Sequence, residues 1–178
     1  MERTSTEGVL LRLLGPTDSL AELTLLLHRA YARLGAMGLN YTAVDQTPEV
    51  TRERTEGREC YVAESGGRIV GTVAFHLDQR DRPPCARRED LAYLSQFGVE
   101  PELQGSGIGG LLLDRVEERA VALGFPAIAL DTAIPATHLV RFYEKRGYRP
   151  IGEDQFAGKT YRSVVLAKAL AGRSPSEG

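Results

Sequence analysis

Four glycines fall within six residues in the run Gln104-Gly105-Ser106-Gly107-Ile108-Gly109-Gly110, and this is where the chain best suits a phosphorylated ligand. Bare main chain lets phosphate oxygens come close, and glycine adopts turn conformations that other residues resist. If a helix starts here, its first N–H groups lack intrahelical partners and sit at the positive end of the macrodipole, so an anion satisfies both. The run therefore reads as a backbone cradle for a diphosphate. The plainer reading is a turn that merely ends a strand, but isolated glycines would suffice for that. Two other nucleotide patterns fit less well. Gly105-x-Gly107-x-x-Gly110 meets the dinucleotide fingerprint in form, and Asp131 lies near the offset of about 20 residues expected of a ribose-binding acid. That fingerprint wants its first glycine directly after a strand, whereas Glu100 to Gln104 intervene here. Gly152 and Gly158-Lys159-Thr160 enclose five residues where a phosphate loop needs four, so a hairpin turn is expected there instead.

The elements around the cradle follow from periodicity. Leu91 to Val99 is an apolar strand. Ile108, Leu111, Leu112, Val116, Ala120 and Leu123 recur at three- and four-residue steps, with Asp114, Arg115, Glu117, Glu118 and Arg119 turned outward, which predicts an amphipathic helix. Upstream, Val9 to Leu14 reads as a strand stopped by Gly15-Pro16. Asp18 or Ser19 caps a helix carrying Leu20, Leu23, Leu27 and Tyr31 and ending near Gly35, and Pro48 opens a short helix through Arg54. Glu59 to Glu64 and Arg68 to Leu77 form a hairpin about Ser65-Gly66-Gly67. Asp78 to Asp90, with Pro83-Pro84 and Arg80, Arg82, Arg87 and Arg88, is expected as a solvated loop, a phosphate role for its arginines being the alternative. Downstream come a strand over 127–131 parallel to 91–99, a helix over 135–146, a strand near 148–153 and a last strand from Tyr161 to Ala167.

Composition bounds the answer. With 178 residues and 42% hydrophobic content the chain suits one core, so a single domain over 1–172 with a flexible tail at 173–178 is expected. A net charge of −2 gives no field for nucleic acid or an anionic membrane. No apolar run approaches the about 18 residues of a membrane span and no signal-like segment is evident, so a cytoplasmic protein is expected. Cys60 and Cys85 lack metal spacing, so neither a zinc site nor another metal is expected.

The order Val99-x-Pro101-x-x-Gln104-Gly105-x-Gly107-Ile108-Gly109, followed by Leu112 and Leu113, closely resembles the acetyl-CoA signature of the GCN5-related N-acetyltransferase (GNAT) superfamily. That signature, Arg or Gln, two residues, Gly, one residue, then Gly or Ala, is met by Gln104, Gly107 and Gly109. Phe142-Tyr143-Glu144-Lys145-Arg146-Gly147-Tyr148 resembles the superfamily's helix-ending segment, and the likeness covers most of residues 60 to 170 in element order. The resemblance implies an α+β, GNAT-like fold with a mixed, partly splayed central sheet of about six or seven strands and helices on both faces. It implies acetyl-CoA as co-substrate and, as acceptor, a primary amine of a small molecule or a protein amino group. Attack would be direct, in a ternary complex. A homodimer is left open. It places Phe97, Gly98 and Val99 beside the acetyl and pantetheine groups, and Gln104, Gly105, Ser106, Gly107, Ile108, Gly109 and Gly110 on the phosphates. Gly98 suits a bulge or close backbone approach. Tyr143 takes the general-acid position, although a helical pattern alone makes it equally a core residue. Where the superfamily commonly has an asparagine, seven residues before that tyrosine, this chain has Ala136, with Thr137 or His138 as substitutes on coenzyme A.

Acetyl transfer from a thioester needs a neutral amine, stabilisation of the oxyanion and a proton for the thiolate. A phenol, with pKa about 10, can protonate a thiolate whose thiol has pKa about 8.5. The base is less determined: Tyr93 and Ser95, at two-residue steps from Phe97, could hold a water, or His76 could act directly. Asp45, Glu49, Glu53 and Glu56 could attract a cationic acceptor or merely be solvated. Two other functions stay open at this point: a non-catalytic acyl-CoA-binding or regulatory module, and an NAD(P)-binding reductase.

Overall fold

A computed structural model describes residues 6–171. In chain order its elements are β1 (Leu10–Leu13), α1 (Leu20–Ala36), α2 (Thr42–Asp45), α3 (Pro48–Thr55), β2 (Glu59–Ser65), β3 (Arg68–His76), β4 (Leu91–Val99), α4 (Ile108–Ala122), β5 (Ala127–Ala133), α5 (Thr137–Lys145), β6 (Arg149–Asp154) and β7 (Ser163–Ala169). Local chemistry explains several boundaries. The Ser19 hydroxyl accepts from the Glu22 amide and starts α1, and Thr47 does the same for Val50 ahead of Pro48 in α3. Gly66 and Gly67, at φ +57° and +78°, turn the β2–β3 hairpin. Gly158-Lys159-Thr160 lies in the connection between the antiparallel strands β6 and β7. The tail expected at 173–178 lies outside the described residues.

The strands make one mixed sheet in the order β1-β2-β3-β4-β5-β7-β6. Every neighbouring pair is antiparallel except β4 with β5, which α4 connects as a parallel crossover. That parallel pairing stops early: Leu91, Ala92 and Tyr93 face Ala127, Ile128 and Ala129, and beyond them the strands part. On its other edge β4 carries a bulge. Thr72 of β3 faces Gly98 and Ala74 faces Ser95, so β4 fits one extra residue between them. The strained residue there is Gln96, at φ +50°, not Gly98 as the sequence suggests. Gly98 instead meets α1: a Cβ on it would stand 3.0 Å from Cβ of Ala30.

Helices cover both faces. Leu112, Leu113, Val116 and Ala120 of α4 are fully buried with Val73, Phe75, Ala92, Leu94, Ile128, Leu130 and Leu166, and Gly71 makes room for Leu112. On the opposite face Leu23 and Leu26 of α1 pack with Cys60. Among the described residues, no helix is long and apolar enough to cross a membrane.

The 78–90 connection departs from its expected solvated state. Arg82 is buried, and its guanidinium donates to the carbonyls of Asp78 (3.0 Å), Ala86 (3.3 Å) and Leu91 (2.6 Å) while lying over the Tyr93 ring. It holds the loop onto the sheet from inside. Arg82→Met should fill similar space yet leave those carbonyls unpaired, lowering the unfolding free energy in a urea titration by about 1–3 kcal/mol.

Candidate active site

Where β4 and β5 part, a cleft of about 1280 Å³ opens. Its walls are the exposed edge of β4 from Leu94 to Val99, Leu130 to Thr132 of β5, the first turn of α4, Tyr31 of α1 and Tyr143 of α5. Six consecutive β4 residues line it where the departure of β5 leaves that edge without a partner strand.

The glycine run forms one end. Gly105 and Gly107 take φ of +80° and +97°, and Gly107 is the N-cap of α4 without a side-chain cap bond. Among the described residues, the amides of Gly107, Ile108, Gly109 and Gly110 meet no acceptor, the first capping bond being Leu111 to the Gly107 carbonyl. A Cβ on Gly105 would meet nothing within 4 Å, whereas one on Gly109 would stand 3.1 Å from Cζ of Phe97. Unpartnered amides at a positive helix end, carried by residues with no side chain of their own at Gly107, Gly109 and Gly110, suit a diphosphate. Gln104, Gly105, Gly107, Gly109 and Gly110 line the cleft. Ile108 turns its side chain into the core, and the Ser106 hydroxyl is buried without a partner, so either residue can offer a ligand only its main chain. The short 3₁₀ turn Pro101–Leu103 separates β4 from Gly105, so the direct strand-to-glycine turn of a dinucleotide site is not formed.

Phe97, Gly98 and Val99 all line the cleft. The Tyr31 hydroxyl donates to the Phe97 carbonyl at 2.8 Å, which fixes this peptide although Gln96 and Phe97 have no register partner on β3. Tyr143 lies alongside, its ring 6.4 Å from that of Phe97 and 5.7 Å from that of Tyr148. The residue is buried, its hydroxyl makes no hydrogen bond among the described residues, and burial first, then neighbouring tyrosines, pushes its pKa well above the ordinary value. His138 lines the cleft half-buried; burial, with Arg33 nearby, lowers its pKa. Thr137 is exposed and off the cleft wall, and Ala136 is a core residue with Leu34, Leu39 and Tyr161.

The sequence-derived bases sit elsewhere. His76 is buried behind Ser95, its Nε2 2.6 Å from the Ser95 hydroxyl, and burial, then Arg58, drives its pKa down to about 3. Ser95 lines the cleft; His76 does not. Tyr93 is buried too and donates its hydroxyl to Oδ1 of Asp131. Both miss the cleft because Tyr93 lies on the length of β4 still paired with β5, and His76 on β3 is its register partner, so they sit behind the point where the strands part, whereas Ser95, two residues on, lines the cleft as the shared-face reading expects. The side chain that reaches the cleft there is Asp131, whose pKa is raised by burial although the Tyr93 hydrogen bond and Arg54 oppose the shift. An acid closing the apolar run Ala127-Ile128-Ala129-Leu130 was the available signal. Of the four N-terminal acids, only Glu53 lines the cleft. Among the described residues no group of three or more His, Cys, Asp or Glu is placed to hold a metal ion.

A profile described as the Acetyltransferase (GNAT) family matches residues 36–148. The S-(2-succino)cysteine N-acetyltransferase of Bacillus subtilis (strain 168) is 31% identical over 156 residues, covering 86% of this chain and 90% of that protein. Among solved structures, the ribosomal-protein-S18-alanine N-acetyltransferase from Escherichia coli superposes with a TM-score of 0.71 at 14% identity, over 94% of this chain and 97% of that one. A GNAT family acetyltransferase from Elizabethkingia anophelis with acetyl-CoA bound does so with 0.62 at 16% identity, over 92% and 99%. The signature read in the sequence, the divided sheet and the cleft thus have one common explanation: the chain belongs to the GNAT family of acetyltransferases.

Proposed function

We propose that this protein transfers an acetyl group from acetyl-CoA to a primary amine of a small molecule or protein, by direct attack while both substrates are bound. One observation carries the reading: a single cleft runs from the uncapped amides at Gly107–Gly110 past Phe97 to Tyr143 and Asp131. The Bacillus subtilis relative, whose name gives a cysteine derivative as acceptor, supports a small-molecule amine.

When bound, acetyl-CoA supplies an activated acetyl thioester. The α4 amides, with Gln104 at their side, would hold its diphosphate, and His138 would stand in for the missing asparagine. The Phe97–Gly98 peptide is anchored through the Phe97 carbonyl by Tyr31, and a main-chain N–H of this stretch of β4, which has lost its partner strand β5, would polarise the thioester carbonyl. Tyr143 holds its proton throughout the neutral range because burial disfavours the phenolate, so Oη is a hydrogen-bond donor for a departing thiolate, whose basicity the same burial would raise until it can take the proton. Asp131 accepts a proton from the incoming ammonium, directly or through water, with Tyr93 fixing Oδ1. His76, kept neutral by burial, orients Ser95.

Two measurements test this. Acetyl-CoA should raise the melting temperature, by an amount that keeps growing with the logarithm of its concentration above the Kd, where NADPH should not. With an accepted amine, double-reciprocal velocity plots should intersect; parallel lines would indicate an acetylated enzyme and overturn direct attack. A purely binding role, which Ala136 in place of asparagine would favour, predicts the thermal shift without any amine-dependent thiol release.

A further inference from the structure

The end of the cleft beyond Asp131 gathers hydrogen-bond donors that have no anionic partner. Arg54, half-buried on α3, gives Nη1 to Oε1 of Gln46 at 2.8 Å and meets no carboxylate among the described residues. Of the nearby acids, two are engaged elsewhere, Arg58 pairing with Asp78 at 3.3 Å and Asp81 at 2.8 Å and Arg80 with Asp78 at 3.1 Å, while Glu53 and Asp131, which line the same cleft, close on neither Arg54 nor Lys159. Lys159, from the β6–β7 connection, uses its ammonium on two neutral oxygens, the Asn40 carbonyl (2.8 Å) and the Thr42 hydroxyl (3.0 Å).

Gln96 adds a third donor. A guanidinium can only donate, so Gln46 must turn its carbonyl to Arg54 and its amide nitrogen to Gln96, at 3.0 Å from Oε1. The same nitrogen also reaches the Thr51 hydroxyl at 2.7 Å. This fixes the orientation of Gln96 and leaves its Nε2 buried with no partner, on a residue only 4% exposed that lines the cleft. A buried donor left unpaired is costly, and a half-buried cation without a counter-charge more so. Burial lowers the pKa of Arg54 and of Lys159; Asp81 and then Asp131 act against this on Arg54, and Asp45 and then Asp131 on Lys159, none of them closing into an ion pair with either. The cleft thus presents a carboxyl group at Asp131 and, separate from it, two cations bonded only to neutral oxygens and one unpaired amide donor.

We propose that the acceptor is an amino carboxylate, with its carboxylate held by Arg54, Lys159 and Gln96 while its amine faces Asp131. This rests on the transferase reading above and adds the acceptor's class. A guanidinium and two N–H donors match the lone pairs of a carboxylate, and the opposed charges set which end of a zwitterion faces the acetyl group.

The test is thiol release from acetyl-CoA with a panel of L-amino acids and S-carboxymethylcysteine, each beside its own carboxamide. The free carboxylate should be preferred by about 100-fold in kcat/KM, since its loss leaves buried donors unpaired. Arg54→Gln should raise KM for the best carboxylate about 10- to 100-fold, leave the carboxamide and the KM for acetyl-CoA unchanged, and so erase the preference. Lys159→Gln, on a separate loop, should do the same to a smaller degree and stands in if the first variant misfolds. Equal use of carboxamides or plain alkylamines, an equal loss on both substrates in the variants, or no release with any carboxylated amine would each overturn the proposal. The broader reading fails separately, when acetyl-CoA no longer shifts the melting temperature of the wild-type protein.

Discussion

Tyr143→Phe is expected to cut kcat by about 10²–10⁴-fold while acetyl-CoA binds as before. The change removes one hydroxyl that makes no hydrogen bond within the described protein, so neither the fold nor the ring packing against Phe97, Phe142 and Tyr148 loses a contact. What it removes is a proton held next to the cleft by a group whose pKa lies far above neutrality. Turnover is measured by thiol release and binding by calorimetric titration of acetyl-CoA. A variant with unchanged kcat would take Tyr143 out of the mechanism and return it to the hydrophobic core.

Asp131→Asn should lower kcat/KM by about 10²–10³-fold and alter its pH profile. Burial raises the Asp131 pKa, so the acid limb of the wild-type profile should lie above the ordinary carboxylate range. Below that folded-state value the carboxyl is protonated and cannot accept the ammonium proton; above it the base is available. The Asn variant should lack this limb. Its stability at neutral pH should not fall: a carboxyl whose folded pKa is raised costs stability progressively as pH climbs from its unfolded value to the raised one and in full above it, and an amide carries no such penalty while still accepting from Tyr93. An unaltered acid limb in the variant would shift the base role to Ser95 and the His76 behind it.

Much of the fold was legible because it is fixed locally. The Ser19 cap, Pro48 at the start of α3, the Ser65-Gly66-Gly67 turn and the apolar stripe of α4 each fix an element within a few residues of sequence. The early end of pairing between β4 and β5 came from family resemblance, since no property of either strand alone reports it. What stayed illegible depends on pairing across the sheet. Gln96 carries the bulge because of its register against β3, and no local pattern separates it from Gly98, whose missing side chain serves α1 instead. Equally illegible is where β4 and β5 part: Tyr93 lies on the paired length with His76 beside it on β3, so both fall behind the cleft wall, while Asp131, just beyond the last pair on the next strand, reaches it. Arg82 shows the same lesson for charge: a run of arginines reads as solvated in one dimension, yet one of them is the polar core of its own loop.

Only three residue pairs fasten β4 to β5. The sheet is therefore two leaves sewn at one end, β1 to β4 on one side and β5, β7 and β6 on the other, and the seam is its weakest line. Substrates lodged between the leaves would stitch the open length of that seam. If substrates occupy the cleft as proposed, binding there and cohesion of the two leaves would be coupled, and an empty cleft would loosen first along that seam.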